Sequence, residues 1–510
     1  MAHPAPSSAP GPDAPAPGAT AALALLLAIN LFNYIDRQVL SAVLPRLEMD
    51  GTLFAPDDPD TKFWLGLLPS AFMVAYMVFS PIVGWLDGHG YRRWVILGLG
   101  VTVWSLASGG SGFATTYWAL LATRCLVGVG EGAYGPVASA MLADIYPARL
   151  RGLVMALFNM AIPVGSALGF VIGGQVSGYF NDWRHAFWVT FAGLGLGVLC
   201  FTRRELPRPP RAAEVDAPGY FTVLGRLARN PSFALCCAGM TAVTFVLGGL
   251  AAWLPAYIFE REARFALTPA VLTALADPSP EANRRPVPAE VVAKLAPKAD
   301  GQERNLADLK AYLSGSWSEA EAARHFESVT TAAVTKESPT LAGINTAFGA
   351  IVVIGGLVAT AVGAWLGEWL RPRVRGGYFW VIGGGALASL PAYYGFLYTP
   401  FPLGWGLVFF AVFGLFLHTG PAFTALANVV TSEVRATAFA INILVIHALG
   451  DVISPPLIGL VASRSSLHTA FLLTGGMVLL GGVLWLTGVP FLDADTRRAT
   501  DADAGNPRPV

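Results

Sequence analysis

The sequence predicts an all-α membrane protein: about twelve transmembrane helices in two six-helix halves, with a polar, partly helical insertion between helices 7 and 8. Three observations predict it. Of 510 residues, 54% are hydrophobic and only 13% charged, against about 25% charged in a soluble domain, and mean hydropathy is +0.55. Apolar runs long enough to cross a bilayer, about 20 residues each, recur along the chain in two sets of six. Arginines gather in alternate short connections, as expected of a chain that weaves through a membrane.

Taken in order, residues 1–18 are Pro- and Ala-rich without Lys or Arg. They lack the positive n-region of a secretory signal and read as a disordered tail. Spans 1 to 6 are expected near 19–46, 63–86, 93–112, 117–142, 152–176 and 185–202, giving an N-terminal half over 19–202. A basic connector, 203–232, carries Arg203, Arg204, Arg208, Arg211, Arg226 and Arg229. Spans 7 to 12 are expected near 233–259, 341–370, 376–398, 403–431, 436–463 and 468–491, a C-terminal half over 233–491. The polar stretch 492–510 is expected to be a second disordered tail. Arg92 and Arg93 after span 2, Arg149 and Arg151 after span 4, Arg371, Arg373 and Arg375 after span 8, and Arg435 after span 10 all fall on the side of the connector and both termini. That side is expected to be cytoplasmic, and a bacterial source would place the multi-pass chain in the inner (cytoplasmic) membrane.

Residues 260–340 fall on the opposite side. Stretches such as 288–295 and 305–313 have helical periodicity, so a small helical cap or partly ordered insertion is expected. It carries no chemistry of its own; a lid and an inert insertion both remain open.

Several function classes are excluded. A net charge of +0 leaves no broad basic surface for nucleic acid. The four cysteines, Cys125, Cys200, Cys236 and Cys237, lie in apolar runs without metal or disulfide spacing. Without a phosphate-binding glycine loop, metal cluster or nucleophile triad the chain does not read as an enzyme or an ATP-driven pump. No cofactor is expected. The expected partners are the lipid bilayer and a small-molecule or lipid substrate.

The charges inside apolar runs carry the chemistry. Ionised groups at bilayer depth cost a few kcal/mol, roughly, and persist where they face a protein interior and act there. In span 1, Asn33, Asp36 and Arg37 share a helix face by i+3 and i+4 spacing. In span 4, Arg124, Gly128 and Glu131 share another, the glycine allowing close backbone approach. Arg124 and Glu131 stand about 10 Å apart along the axis, too far to bond directly, whereas Asp36 or Arg37 reaches the level of Arg124. Two readings remain: a proton-exchanging acid beside an arginine, or a static pair holding helices 1 and 4. In span 11, His447 and Asp451 are four apart on one face, either a proton relay or a packing device beside a proline kink. His418 stands alone and reads as a core histidine. Phe32, Tyr34, Phe348, Tyr393, Phe413 and Phe416 are candidates for the cavity wall or for ordinary packing.

These residues resemble the major facilitator superfamily, and within it the spinster family of lipid transporters. The resemblance rests on 33–37 (Asn-Tyr-Ile-Asp-Arg), the loop motif at 84–93, the span 4 motif at 124–131, the stretch 144–151, the glycines at 165–169 and 173–174, and the second-half counterparts at 432–437 and 447–459. It covers nearly all the membrane part and excludes the insertion and tails. Asp87 stands one position earlier than the loop motif's usual acid, and 365–373 keeps Glu368 but lacks the base that normally follows.

The resemblance implies the major facilitator fold, alternating access by two halves, a lipid-like or amphipathic anionic substrate such as a lysophospholipid or sphingoid phosphate, and a proton gradient as driving force. It assigns proton coupling to Asp36 and Glu131. With the residue pattern itself, the candidates for substrate binding are Asn33, Tyr34, Arg37, Arg124, His447 and Asp451, and those for gating are Asp87, Arg92, Arg93, Glu368 and Arg371. A monomer is expected only as the default that the resemblance implies. The residues alone leave open a facilitator or antiporter of a small organic anion, sugar or drug-like solute, and a transporter-like sensor that uses 260–340.

Overall fold

The computed structural model describes residues 15–50, 53–54, 58–206, 220–277, 287–313, 315–431 and 433–505. Expectations for 1–14, 207–219 (with Arg208 and Arg211) and 506–510 lie outside them. Twelve spans follow one another. The first half comprises Ala19–Met49, Thr61–Gly88, Arg93–Ser111, Tyr117–Gly132 continued by Gly135–Ile145, Ala148–Phe180, and a sixth span in three pieces from Arg184 to Phe201. The second comprises Pro231–Glu262, Leu341–Leu370, Gly377–Tyr398, Leu403–Phe416 continued by Thr419–Asn428, a broken eleventh span from Arg435 to Arg464, and Leu467–Gly505. Ten segments of the described residues are long and apolar enough to cross a membrane by length and composition alone. The other two spans are the fourth, divided at Ala133–Tyr134, and the ninth.

Breaks fall where the chain chemistry demands them. Span 4 was expected to run unbroken to 142, but Pro136 sits in the first turn of its second piece, where a missing N–H is harmless. In span 11, His447–Asp451 forms a π-turn ahead of Pro455 and Pro456. Neither proline has an N–H for the carbonyl four residues back, so the helix rephases and Val452 keeps a free carbonyl oxygen. Ser70 of span 2 donates to it at 2.6 Å.

One expectation is overturned. Residues 492–505, read as a disordered tail, extend span 12 as helix. Their acids have partners: Asp495 accepts from the Ser232 N–H and hydroxyl at 3.2 and 2.7 Å, and Asp493 accepts from the Gly376 N–H at 3.3 Å. Polar composition signalled disorder because these partners lie far away in sequence.

The insertion is folded. Helices Pro269–Ala276, Ala289–Leu295, Leu306–Leu313 and Glu319–Ala333 enclose Phe265, Leu295, Leu309, Leu313 and Val329, each fully buried. A two-residue antiparallel pairing joins Phe265–Ala266 to Glu303–Arg304. Its longest helix opens with a capping box in which Ser318 and Glu321 satisfy each other's backbone N–H groups. The Lys294 ammonium, 2.6 Å away, pulls the Glu321 carboxyl down to about 2. Arg304 holds Asp300 well below the usual carboxylate range.

The two halves touch at the face that carries the insertion. A Cβ on Gly66 would fall 2.4 Å from the Pro455 oxygen, and one on Gly459 2.2 Å from the Lys62 oxygen, so spans 2 and 11 meet backbone to backbone. Asn345 of span 8 donates to the Ala42 carbonyl of span 1 at 3.0 Å. Arg464 pairs with Asp60 at 2.9 Å, and Lys62 bonds Glu260. Toward the face that carries both termini, spans 2, 5, 8 and 11 present exposed side chains, among them Val78, Ile82, Leu153, Ile354 and Leu444.

Candidate functional site

Span 1 delivers Asp36 and Arg37 on adjacent rungs, and their side chains go different ways. The Arg37 guanidinium donates to Glu131 of span 4 at 2.7 Å. Glu131 is fully buried, while the Arg37 side chain keeps 19% of its surface exposed. Three rings surround that cation: Tyr34 and Phe72 at 5.0 Å and Tyr76 at 5.3 Å, a cation–π arrangement. Asn33 is also buried, on the same face of span 1.

Asp36 turns to span 3. The Ser108 hydroxyl donates to it, and Arg124 is its electrostatic neighbour. Arg124 is 2% exposed. Its guanidinium donates to Ser111 at 2.5 Å and lies 5.0 Å from the Phe187 ring centre. The span 1 and span 4 charges form two layers, Asp36 and Arg124 inside the first half and Arg37 and Glu131 at its inner wall, and the ion pair is Arg37–Glu131 and not one with Arg124. Arg124, expected to bind substrate, is enclosed by its own half. One oxygen of each acid, Asp36 Oδ2 and Glu131 Oε1, is buried without a hydrogen-bond partner among the described residues.

Close packing makes this register possible. A Cβ on Gly128 would fall 2.2 Å from the Phe72 oxygen, and one on Gly165 2.7 Å from the Leu31 oxygen, so spans 2, 4 and 5 seat directly against their neighbours. Sequence reading missed Ser108 and Ser111 as partners of the buried charges. A signal existed: Ser105, Ser108 and Ser111 recur every three residues on an apolar helix, and all are buried.

Across from this cluster, the His447 ring meets Asp451 at 2.6 Å in the π-turn, both side chains partly exposed. His418 is buried against the Leu415 carbonyl, at 2.6 Å, and stacks on Trp485. Phe348 and Tyr393 are core residues, packed on Phe170 and bonded to the Phe471 carbonyl respectively.

The remaining candidates sit at the terminal face. Asp87, despite its shifted position, binds Arg93 through two bonds of 2.7 and 3.0 Å, and Arg93 also reaches Asp144 at 2.6 Å. Arg92 is exposed. Glu368 accepts from the Tyr378 hydroxyl at 2.6 Å, and Arg371 lies 6.0 Å from the same ring. Each group lies within one half. Beside spans 2, 4 and 11 runs a cleft of 660 Å³ lined by apolar side chains such as Leu67, Val74, Val78, Leu121, Ile453 and Leu457.

Residues 26–277 match the Major Facilitator Superfamily model. The chain is 30% identical to Protein spinster homolog 1 of Homo sapiens, over 95% of this chain and 83% of that protein. It is 29% identical to Protein spinster homolog 3 of Danio rerio, over 96% and 88%. Its fold is similar to the crystal structure of a bacterial homolog to human lysosomal transporter, spinster, in an inward-facing and unoccupied conformation, with TM-score 0.63 and 19% identity over 95% of this chain and 98% of that one. A D-xylose-proton symporter aligns with TM-score 0.57 and 14% identity over 93% and 98%. The chain belongs to the spinster family of the major facilitator superfamily, a multi-pass membrane transporter and not an enzyme.

Proposed function

We propose that the protein works by alternating access, exchanging protons at Asp36 and Glu131 and carrying a lipid-like anion of the lysophospholipid or sphingoid phosphate class. The observation that carries this reading is the composition of the buried cluster. Two acids and two bases, Asp36, Arg37, Arg124 and Glu131, balance when all are charged. A proton on either acid leaves one net positive charge beside Arg37, the member with exposed surface. An anionic head group then restores neutrality, and a guanidinium is well shaped for phosphate or carboxylate. The apolar cleft beside spans 2 and 11 suits a chain rather than a sugar. If both termini are cytoplasmic, the closed insertion face supports reading this as an inward-open state.

The test is reconstitution in liposomes with a labelled lysophospholipid, with and without a pH gradient. Uptake should follow the gradient in the wild type and lose that dependence in Asp36→Asn and in Glu131→Gln. Uptake indifferent to the gradient and to both substitutions makes the charges a structural brace and the protein a facilitator.

A further inference from the structure

The insertion belongs by chain to the second half, yet its longest helix, Glu319–Ala333, lies against the first. Arg46, near the end of span 1, donates through one nitrogen to the Asn181 side-chain oxygen at 2.8 Å and to Glu327 of the insertion at 3.3 Å. Thr331 donates to the same Asn181 oxygen at 3.0 Å. Thr330 packs on Met49, its hydroxyl 3.6 Å from the sulfur. Asn181 ends span 5 with φ of 53°, the left-handed region that asparagine tolerates better than most residues. Spans 1 and 5 therefore present their ends together to one insertion helix.

Burial gives this contact its weight. Arg46 is 9% exposed, Glu327 6% and Thr330 2%. A cation and a carboxylate kept out of water hold only as a pair, since losing either partner strands the other charge. The contact is thus either made in full or opened to water on both sides. It also spans the surfaces that separate when this face opens, because Arg46 and Asn181 move with the first half while Glu327 and Thr331 are anchored in the second.

We propose that the insertion is a working part of the gate: Glu327 and Thr331 hold the insertion face shut by gripping Arg46 and Asn181, and both grips must release before that face opens. Glu327 thereby sets the balance between the two transport states. The inference rests on alternating access alone and is independent of the proton and of the lipid.

The experiment places spin labels at Thr115→Cys, between spans 3 and 4, and Leu403→Cys, at the start of span 10. Both sites are exposed at the insertion face. Cys125 is replaced by serine, and distances are measured on the full chain in lipid nanodiscs. E327Q should raise the long-distance, open population about tenfold relative to the closed one, equivalent to about 1.4 kcal/mol. Adding R46Q should raise it little further, because the two residues share one contact. An unchanged distribution in E327Q, or full additivity of the two substitutions, overturns the proposal. Thr331→Val leaves the buried charges paired and serves if E327Q folds poorly. It should shift the ratio about threefold, and no shift there also overturns the proposal. Lysophospholipid uptake plays no part in the readout, so failure of the proposed substrate leaves this result intact.

Discussion

The two halves share a frame and differ in where they keep charge. In the first, Glu205 after span 6 accepts from the Arg93 N–H at the start of span 3, at 2.8 Å. In the second, Asp493 near the end of span 12 accepts from the Gly376 N–H at the start of span 9. The same joint has been built twice from unrelated neighbours in sequence. Charge is distributed otherwise. The first half encloses Asp36, Arg124 and Glu131 in its helices. The second keeps a partly exposed His447–Asp451 pair at membrane depth and carries two further pairs, Lys294–Glu321 and Arg304–Asp300, in the insertion, outside. The comparison separates what the repeat needs to stand, an acid capping a helix start, from what one half alone supplies, a cluster of acids and bases enclosed among its own spans.

The largest effect should come from breaking that asymmetry. Glu131→Ala strands the Arg37 charge and should cost about 3–5 kcal/mol of unfolding free energy, read by denaturant titration in bicelles. Asp451→Ala should cost about 1–2 kcal/mol, because water already reaches that pair. Equal losses would erase the difference between the halves. An intermediate effect tests the shared frame: Glu205→Ala and Asp493→Ala should each remove about 1 kcal/mol by the same titration, and a loss confined to one half would show that the joint is not a repeated one.

The smallest effect concerns the insertion. Glu321 and Asp300 have carboxyls held below their unfolded values, near about 4, by Lys294 and Arg304. Lowered carboxyls contribute stability that is complete above the unfolded pKa and lost as pH falls through the folded one. Hydrogen-exchange protection of 319–333, corrected for intrinsic rate, should therefore be flat from about pH 8 to 5 and decline only below about 4, toward 2. A step near neutral pH would show that a group other than Glu321 and Asp300 governs the stability of that helix.

Much of this was legible in the sequence, for local reasons. Spans follow from run length, and the ends at Ala19, Arg93 and Leu341 fall where apolar composition stops. Asp36, Arg37, Arg124 and Glu131 stood out because charge is rare in such runs. Their pairing was not legible. Whether Arg37 or Asp36 meets Glu131 depends on the rotation of two helices 94 residues apart, which is set by contacts at Gly128 and Gly165 and not by spacing within either helix. Span 12 past Leu492 was misread because Asp493 and Asp495 look solvated until Gly376 and Ser232 are brought to them. The insertion showed helical periodicity, but its grip on Arg46 joins residues 281 apart and leaves no trace in local pattern.

The balance of two acids and two bases in the first half has an electrical consequence. Moving one elementary charge through 100 mV is worth about 2.3 kcal/mol. An empty site that sums to zero returns across the membrane without working for or against the voltage. Under the proposed coupling, one proton taken up with one monoanion leaves the loaded site at zero as well. Such a carrier would ignore the membrane potential at both strokes and answer to acidity and to its cargo alone.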